Sequence, residues 1–437
     1  MYLSLRNKPD TDLSLPPAVR GRTGRVVPGA VIMLGLTSLF TDISAEMLTA
    51  ILPIYLTMQV GLSSVQYGIV DGLYHGVSAV ARLAAGVLSD RFDNAKSVAA
   101  VGYALSALVK PLLLVARSVG SIGLLMSVDR VGKGIRTAPR DPMIAASSPP
   151  QHLALNFGVH RTLDNTGAML GPLIAFGLIA WDPHGYDGVF VGSFAFALIG
   201  LATLVLFVPG RRPPAGVAVA PSKVTRADVS RLVRSRPVRR IVVIAGLLSL
   251  FTVSDGFIYL ALLRSNDMVA TVFPLLAVGT SLGYLLLGVP LGRLADRWGR
   301  RRVFLLGQLP LFGCYAAAVG PVGGVAAVIT SVGCLGAYYA ATDGVLSAAA
   351  VPLLPASLRA SGLAALQTVV ALANLVSSIG FGILSTVLPT RTAFVVMAAG
   401  AVASVAVALA VLKPAAPTEP PQCTPPTEPP AQAEVSR

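Results

Sequence analysis

The chain has 437 residues, 54% of them hydrophobic and 12% charged, with a mean hydropathy of +0.73. Soluble domains carry about a quarter charged residues, so this chain has too little polar surface to coat the roughly three soluble domains that its length alone would suggest. A soluble enzyme is excluded. The net charge of +14 falls mainly between apolar runs, where it orients a membrane chain rather than forming a nucleic-acid surface.

In chain order, residues 1–28 are polar, carry Pro16 and Pro17, and are expected to form a cytoplasmic N-terminal segment. The apolar stretch that follows is too long for a cleavable signal and should stay as a membrane helix. A crossing helix needs about 20 apolar residues, and twelve such runs occur: 29–57, 66–88, 97–118, 120–142, 154–179, 187–209, 241–263, 269–291, 302–320, 323–350, 362–388 and 392–412. None alternates as a barrel strand would. The expected fold is all-α, with six-helix bundles at 29–209 and 241–412. Segment 210–240 is a basic cytoplasmic linker, and 413–437 is a Pro-rich disordered tail that repeats Pro-Thr-Glu-Pro-Pro.

Orientation follows from counting Lys and Arg. With the N-terminus inside, 27 fall on the cytoplasmic side, 3 outside (Arg117, Arg264, Arg391) and 4 within spans. Both termini are therefore expected in the cytoplasm of a cell inner (plasma) membrane. The linker carries nine basic residues and one acid, Asp228. It reads equally as an amphipathic helix, capped near Thr225 and ended by Pro237 on the anionic inner leaflet, or as a solvated tether.

The two halves repeat. Ser38-Leu-Phe-Thr41 recurs as Ser249-Leu-Phe-Thr252, an offset of 211, and Gly86-Val-Leu-Ser-Asp90-Arg91 recurs as Gly292-Arg-Leu-Ala-Asp296-Arg297, an offset of 206. Duplicated six-span halves are a transporter architecture, with the substrate site at the midplane between them.

Ionisable residues inside spans mark function. Asp42 and Glu46 stand four residues apart in the first span and share a helix face. An Asp at the membrane centre costs about 2.5–3.5 kcal/mol, so the pair should face the bundle interior or a wet cavity, where carboxylates in low dielectric suit reversible protonation. Asp71 and His75 share a face of the second span. The fourth span reads Asp129-Arg130-Val-Gly-Lys133-Gly134-Ile-Arg136-Thr-Ala-Pro-Arg140-Asp141; Arg130 needs a partner there, either Asp129 or a first-span acid. Lys110, Arg161 and Asp164 add to the first half, against Asp255 and Asp343 in the second. Coupling is accordingly expected in the first half and substrate surface in the second. Possible cavity residues are Asp129, Lys133, Arg161, Asp164, Asp255 and Asp343.

Gly292 to Arg302, with Asp296, Arg297, Gly299 and Arg300 in place, resembles the loop signature of the major facilitator superfamily (MFS), and the degenerate copy at Gly86, Asp90 and Arg91 follows the second span as it would in that family. The first copy departs at Asp93, Asn94 and Ala95, where the family has Gly-Arg-Arg. Arg130-x-x-x-Gly134 resembles the fourth-helix motif of proton-coupled members. Gly158, Gly167, Gly171 and Pro172 resemble the fifth-helix pattern of antiporters, although Ala175-Phe176 replaces its final Gly pair.

The resemblance implies gating by the loop aspartates and proton-coupled export of small organic molecules by a monomer, with protons as the partner. A symporter or uniporter for a metabolite remains the alternative, and a sensor built on a carrier scaffold is the reading from another class. No metal ligand set, cofactor motif or nucleotide loop is read: Gly-Lys-Gly at 132–134 lacks the Walker spacing, and three cysteines make no disulfide framework. Both signs of interior charge leave the substrate open.

Overall fold

In a computed structural model, residues 27–89, 95–149, 152–209, 235–320, 323–355 and 358–411 are described. They form helices and turns. The first half comprises α1 (Gly29–Ile54, extended by a wide turn at Tyr55–Gln59), α2 (Ser64–Ser89), α3 (Ala95–Val115), α4 (Val119–Ser147), α5 (Leu153–Trp181) and α6 (Tyr186–Phe207). The second comprises α7 (Arg236–Leu250), α8 (Asp255–Ser265), α9 (Phe273–Trp298), α10 (Arg300–Leu306), α11 (Gln308–Val319), α12 (Val325–Ala350), α13 (Arg359–Val387) and α14 (Thr390–Val411). With α7–α8 and α10–α11 each forming one crossing, these make twelve.

Among the described residues, ten helical segments are long and apolar enough to cross a membrane, and α2 and α4 are not among them. These two hold Asp71, His75 and the charges of the fourth span, and they pack against one another inside the first bundle. Large apolar side chains such as Leu206, Phe207, Leu286 and Val387 are exposed, as suits a surface whose solvent is lipid.

One packing diagram serves both halves. In the first, α1 packs on α5 and α6, and α4 on α2 and α3; in the second, α7 packs on α13 and α14, and α12 on α9, α10 and α11. The halves meet chiefly where α2 packs on α13, with α5 on α9 as the symmetry-related seam. Glycines permit this approach: a Cβ on Gly72 would stand 2.9 Å from the Leu375 carbonyl oxygen, and one on Gly382 would stand 2.6 Å from that of Ser64. All four positions lie toward the end of the molecule opposite the chain termini.

Two expected spans are not single helices. The run 241–263 is interrupted between Leu250 and Asp255, and the run 302–320 at Gly307. At the first break Thr252 and Val253 are β-branched, and Ser254 is extended (φ −64°, ψ 146°) ahead of Asp255 in the first turn of α8. The freed backbone is satisfied locally: Val253 N–H donates to Tyr315 Oη at 2.7 Å, and Ser377 Oγ donates to the Thr252 carbonyl at 2.7 Å. At the second, a Cβ on Gly307 would meet Thr342 Cγ2 at 3.2 Å, which leaves α10–α11 close against α12.

Candidate functional site

A cavity of about 700 Å³ lies between the halves. Its first-half wall carries Glu46, Thr49, Tyr67, Asp71, Tyr74, His75 and Asn165; its second-half wall carries Ser254, Asp255, Tyr259, Thr280, Tyr284, Gln308, Tyr338, Tyr339, Thr342 and Asp343. Both helix breaks open onto it. Irregular backbone at membrane depth is tolerated where it lines such a cavity.

The end away from the termini is sealed. Asp71 Oδ2 accepts a hydrogen bond from Ser378 Oγ of the other half at 2.7 Å, and Asp71 Oδ1 accepts one from Tyr67 Oη at 3.4 Å. The Tyr67 ring stands edge-on to Phe257 (4.8 Å between centroids), which meets Phe381 at 4.8 Å and, through it, Phe394 at 5.0 Å. The Tyr67–Phe257 contact joins the two halves, and the other two extend it within the second half. From there the lining extends toward the terminus-bearing end to Phe304, Leu346 and Gln367, with Asn165 and Asp343 exposed.

The first half holds its charges in two networks. Deep in the bundle, Asp129 accepts from Lys110 Nζ at 2.8 Å, from Arg130 Nε at 3.1 Å and Nη2, and from Ser106 Oγ. All four residues are buried. The Arg130 guanidinium lies 4.0 Å from the Tyr74 ring centroid, and that ring faces the cavity, its hydroxyl 3.1 Å from Thr49 Oγ1. Arg130 is thus paired with Asp129, the nearer of the two partners weighed from sequence. Glu46 stands within Coulombic reach of it from the cavity wall.

The other network lies nearer the termini. Arg136 Nη2 pairs with Asp42 Oδ1 at 3.3 Å, its guanidinium 4.8 Å from the Tyr103 ring centroid. Asp164 accepts from Ser38 Oγ at 2.5 Å, stands 3.5 Å from Arg140 Nη1 and 3.7 Å from Arg161 Nη1, and lies within hydrogen-bonding reach of Asp42. Lys133 adds charge close to Asp42.

Of the expected site residues, Glu46, Asp71, His75, Asp255 and Asp343 share the cavity wall. The described lining does not include Asp42, Asp129, Arg130, Lys133, Arg161 or Asp164. Asp42 and Glu46, one turn apart, therefore stand in different surroundings. The fifth-helix glycines divide as well. A Cβ on Gly171 would stand 2.8 Å from Glu46 Cβ and 2.8 Å from the Ile43 carbonyl, and one on Gly167 2.9 Å from Leu39 Cα. Gly158 has open space, and Pro172 is buried in α5.

In the second loop signature, Gly299 takes φ +96°, a conformation that favours glycine. Arg300 Nη2 stands 3.4 Å from Asp296 Oδ1, and Arg300 Nη1 donates to the Ala348 carbonyl in the last turn of α12 at 2.8 Å. A cation there complements the helix C-terminus. Gly292 lies in α9 with open space, and Arg297 is exposed in its last turn. Gly86 lies in α2, whereas Asp90 and Arg91 fall outside the described residues, as do the 210–234 part of the linker and the tail.

Sequence reading missed Gln308, Tyr339 and Ser378. Tyr339 Oη donates to Asp255 Oδ1 at 2.5 Å. Gln308 is buried and its Oε1 has no hydrogen-bond partner among the described residues. A lone amide beside a glycine within an apolar run was the signal available for it. Among the described residues no three His, Cys, Asp or Glu side chains gather as metal ligands.

The Major Facilitator Superfamily pattern matches residues 34–268 and 256–434. This chain belongs to that superfamily. It is 29% identical over 370 residues, 83% of its length, to an uncharacterized MFS-type transporter of Methanocaldococcus jannaschii, of which the match covers 90%. An uncharacterized protein of Mycobacterium tuberculosis is 29% identical over 156 residues, 36% of this chain and 38% of that protein.

Solved structures of similar fold include the nucleoside transporter NupG (TM-score 0.75, 13% identity, 88% of this chain and 100% of that one). A POT family transporter in complex with a thioalcohol-conjugated peptide is also similar (TM-score 0.71, 14% identity, 89% and 99%). The protein is thus a twelve-helix MFS-type membrane transporter and not an enzyme.

Proposed function

We propose that this MFS protein is a proton-coupled antiporter that exports small organic molecules by alternating access. The observation that carries the reading is the cavity itself: sealed at one end by the α2–α13 seam, extended toward the other, and walled by carboxylates from both halves. Basic-residue asymmetry assigns the terminus-bearing end to the cytoplasm, so the cavity faces inward and loads from inside the cell. The molecule works as a monomer in the inner membrane, its basic linker against the anionic leaflet.

Glu46 is the coupling carboxylate. It meets the cavity on one side and the field of Arg130 on the other. Protonation cancels its attraction for Arg130 and for a bound substrate, and deprotonation restores both. Asp42, paired with Arg136, transmits that change along α1 to α4. Asp71 and His75 join the proton path at the seal. A membrane potential adds about 2.3 kcal/mol per charge per 100 mV, enough to bias the exchange of facing states.

Proteoliposomes with an imposed proton gradient test this. Substrate movement should follow the gradient in the wild type, and Glu46→Gln should keep binding and counterflow while losing gradient-driven accumulation by at least about 10-fold, the equivalent of about 1.4 kcal/mol. Equal movement with and without the gradient, or unaltered coupling in the Asp42→Asn/Glu46→Gln double variant, overturns it.

A further inference from the structure

We propose that the cavity recognises a protonated organic amine: an apolar or aromatic body bearing at least one ammonium N–H, which Gln308 Oε1 accepts. The inference rests on reading the cavity as the transport site and adds to it the chemistry of the cargo.

Four carboxylates line the cavity (Glu46, Asp71, Asp255 and Asp343), and the described lining contains no Lys or Arg. The cations that could have held an anion are engaged elsewhere. Lys110 and Arg130 are held on Asp129, and Arg161 is on Asp164. An anion entering here would meet an acidic lining, whereas a cation would be drawn to it.

Gln308 supplies an independent observation. Its residue is 2% exposed, it lines the cavity at the α10–α11 break, and its Oε1 accepts no hydrogen bond from the described residues. A buried acceptor is normally satisfied, and an ammonium proton is the donor that the surrounding acids would draw to it. Tyr338 and Tyr339 on α12 also line the cavity, and aromatic rings attract cations within about 6 Å. At about 700 Å³ the space fits a drug-sized body.

Equilibrium dialysis of the full chain in detergent, with no gradient, tests the idea with four probes. These are 2-(1-naphthyl)ethylammonium, its N,N,N-trimethyl analogue, the corresponding alcohol, and 3-(1-naphthyl)propionate. The primary amine should bind at least about 10-fold more tightly than the alcohol, with the carboxylate weakest, as expected for a charge-assisted bond. Gln308→Met should weaken the primary amine by about 10-fold and leave the trimethyl analogue unchanged, because only the former carries N–H donors. Gln308→Glu, which keeps the shape, should tighten both cations and serves if the Met variant does not fold.

Failure of the amine to bind, equal or tighter binding of alcohol or carboxylate, or a Gln308→Met effect shared by both cations overturns the proposal. Amine binding without gradient-driven transport would overturn the export reading alone. Gradient-driven export of other cargo by a protein blind to amines would overturn only the present inference.

Discussion

The two halves share a packing diagram and differ in what they bury. The first encloses Lys110, Asp129, Arg130 and Arg136 in ion pairs. The second answers with two interrupted crossings and a tyrosine-rich wall. Charge held in networks has two discrete arrangements, paired and released, and suits a switch. Broken helices and aromatic faces offer shape and lone pairs, and suit recognition. On the function proposed above, a duplicated scaffold divides between its halves two tasks that a single carrier must perform together.

The largest expected effect tests whether the first-half charges act as a unit. Asp129→Asn leaves Lys110 and Arg130 buried without their counter-ion, and should cost about 3–5 kcal/mol, read as a fall in thermal midpoint of the detergent-solubilised protein. Removing the whole triad, with Lys110→Met, Asp129→Leu and Arg130→Met, should recover most of that stability, since no charge is then stranded. A triple variant no more stable than Asp129→Asn would show that the three do not compensate one another. The matching change in the second half, Asp255→Asn, keeps a hydrogen bond from Tyr339 Oη and should move the midpoint far less.

An intermediate effect concerns how the Asp42–Glu46 turn is held. Gly167 and Gly171 bring α5 against α1 beside Asp42 and Glu46, where an added methyl would meet backbone. Gly167→Ala and Gly171→Ala should each destabilise by about 1–3 kcal/mol, whereas Gly158→Ala, in open space within the same helix, should be neutral or gain about 0.5–1 kcal/mol. Equal midpoints for all three variants would mean that the α1–α5 contact is looser than described. The second half makes its equivalent contact more softly: a Cβ on Gly246 of α7 would meet the Val369 side chain at 3.0 Å. Gly246→Ala should therefore cost less than Gly171→Ala.

Much of the fold was legible beforehand. Hydropathy located twelve crossings because lipid demands long apolar helices, and the repeated tetrapeptide marked equivalent points. It did not tell that Ser38–Thr41 runs through a continuous helix while Ser249–Thr252 ends one, because Phe-Thr-Val-Ser is as apolar as its flanks. Periodicity put Asp42 and Glu46 on one face but could not separate their surroundings. A helical turn raises a side chain by about 5.4 Å, enough to exchange a cavity for an arginine. The Lys110–Asp129 pairing joins antiparallel helices and depends on their register. Gln308 was hidden because a lone amide in an apolar run carries no charge to betray it.

The smallest expected effect falls on the seam where the halves meet. Ser378→Ala removes the donor that reaches Asp71 Oδ2 across α2 and α13 at 2.7 Å. The acid keeps Tyr67 at 3.4 Å and gains no new partner, so the sealed state alone loses a bond worth about 0.5–1.5 kcal/mol, which shifts the balance of facing states by about 2- to 12-fold. Spin labels on the turns at 60–63 and 388–389 would read this as a larger fraction of long distances between α2 and α13. Ser385→Ala is the control, because Ser385 Oγ donates to the Gly382 carbonyl of its own helix at 3.0 Å rather than to a group of the other half. If both variants leave the distance distribution where the wild type has it, the seam is held by its glycines and aromatic rings. Asp71 then belongs with the cavity acids rather than with the gate.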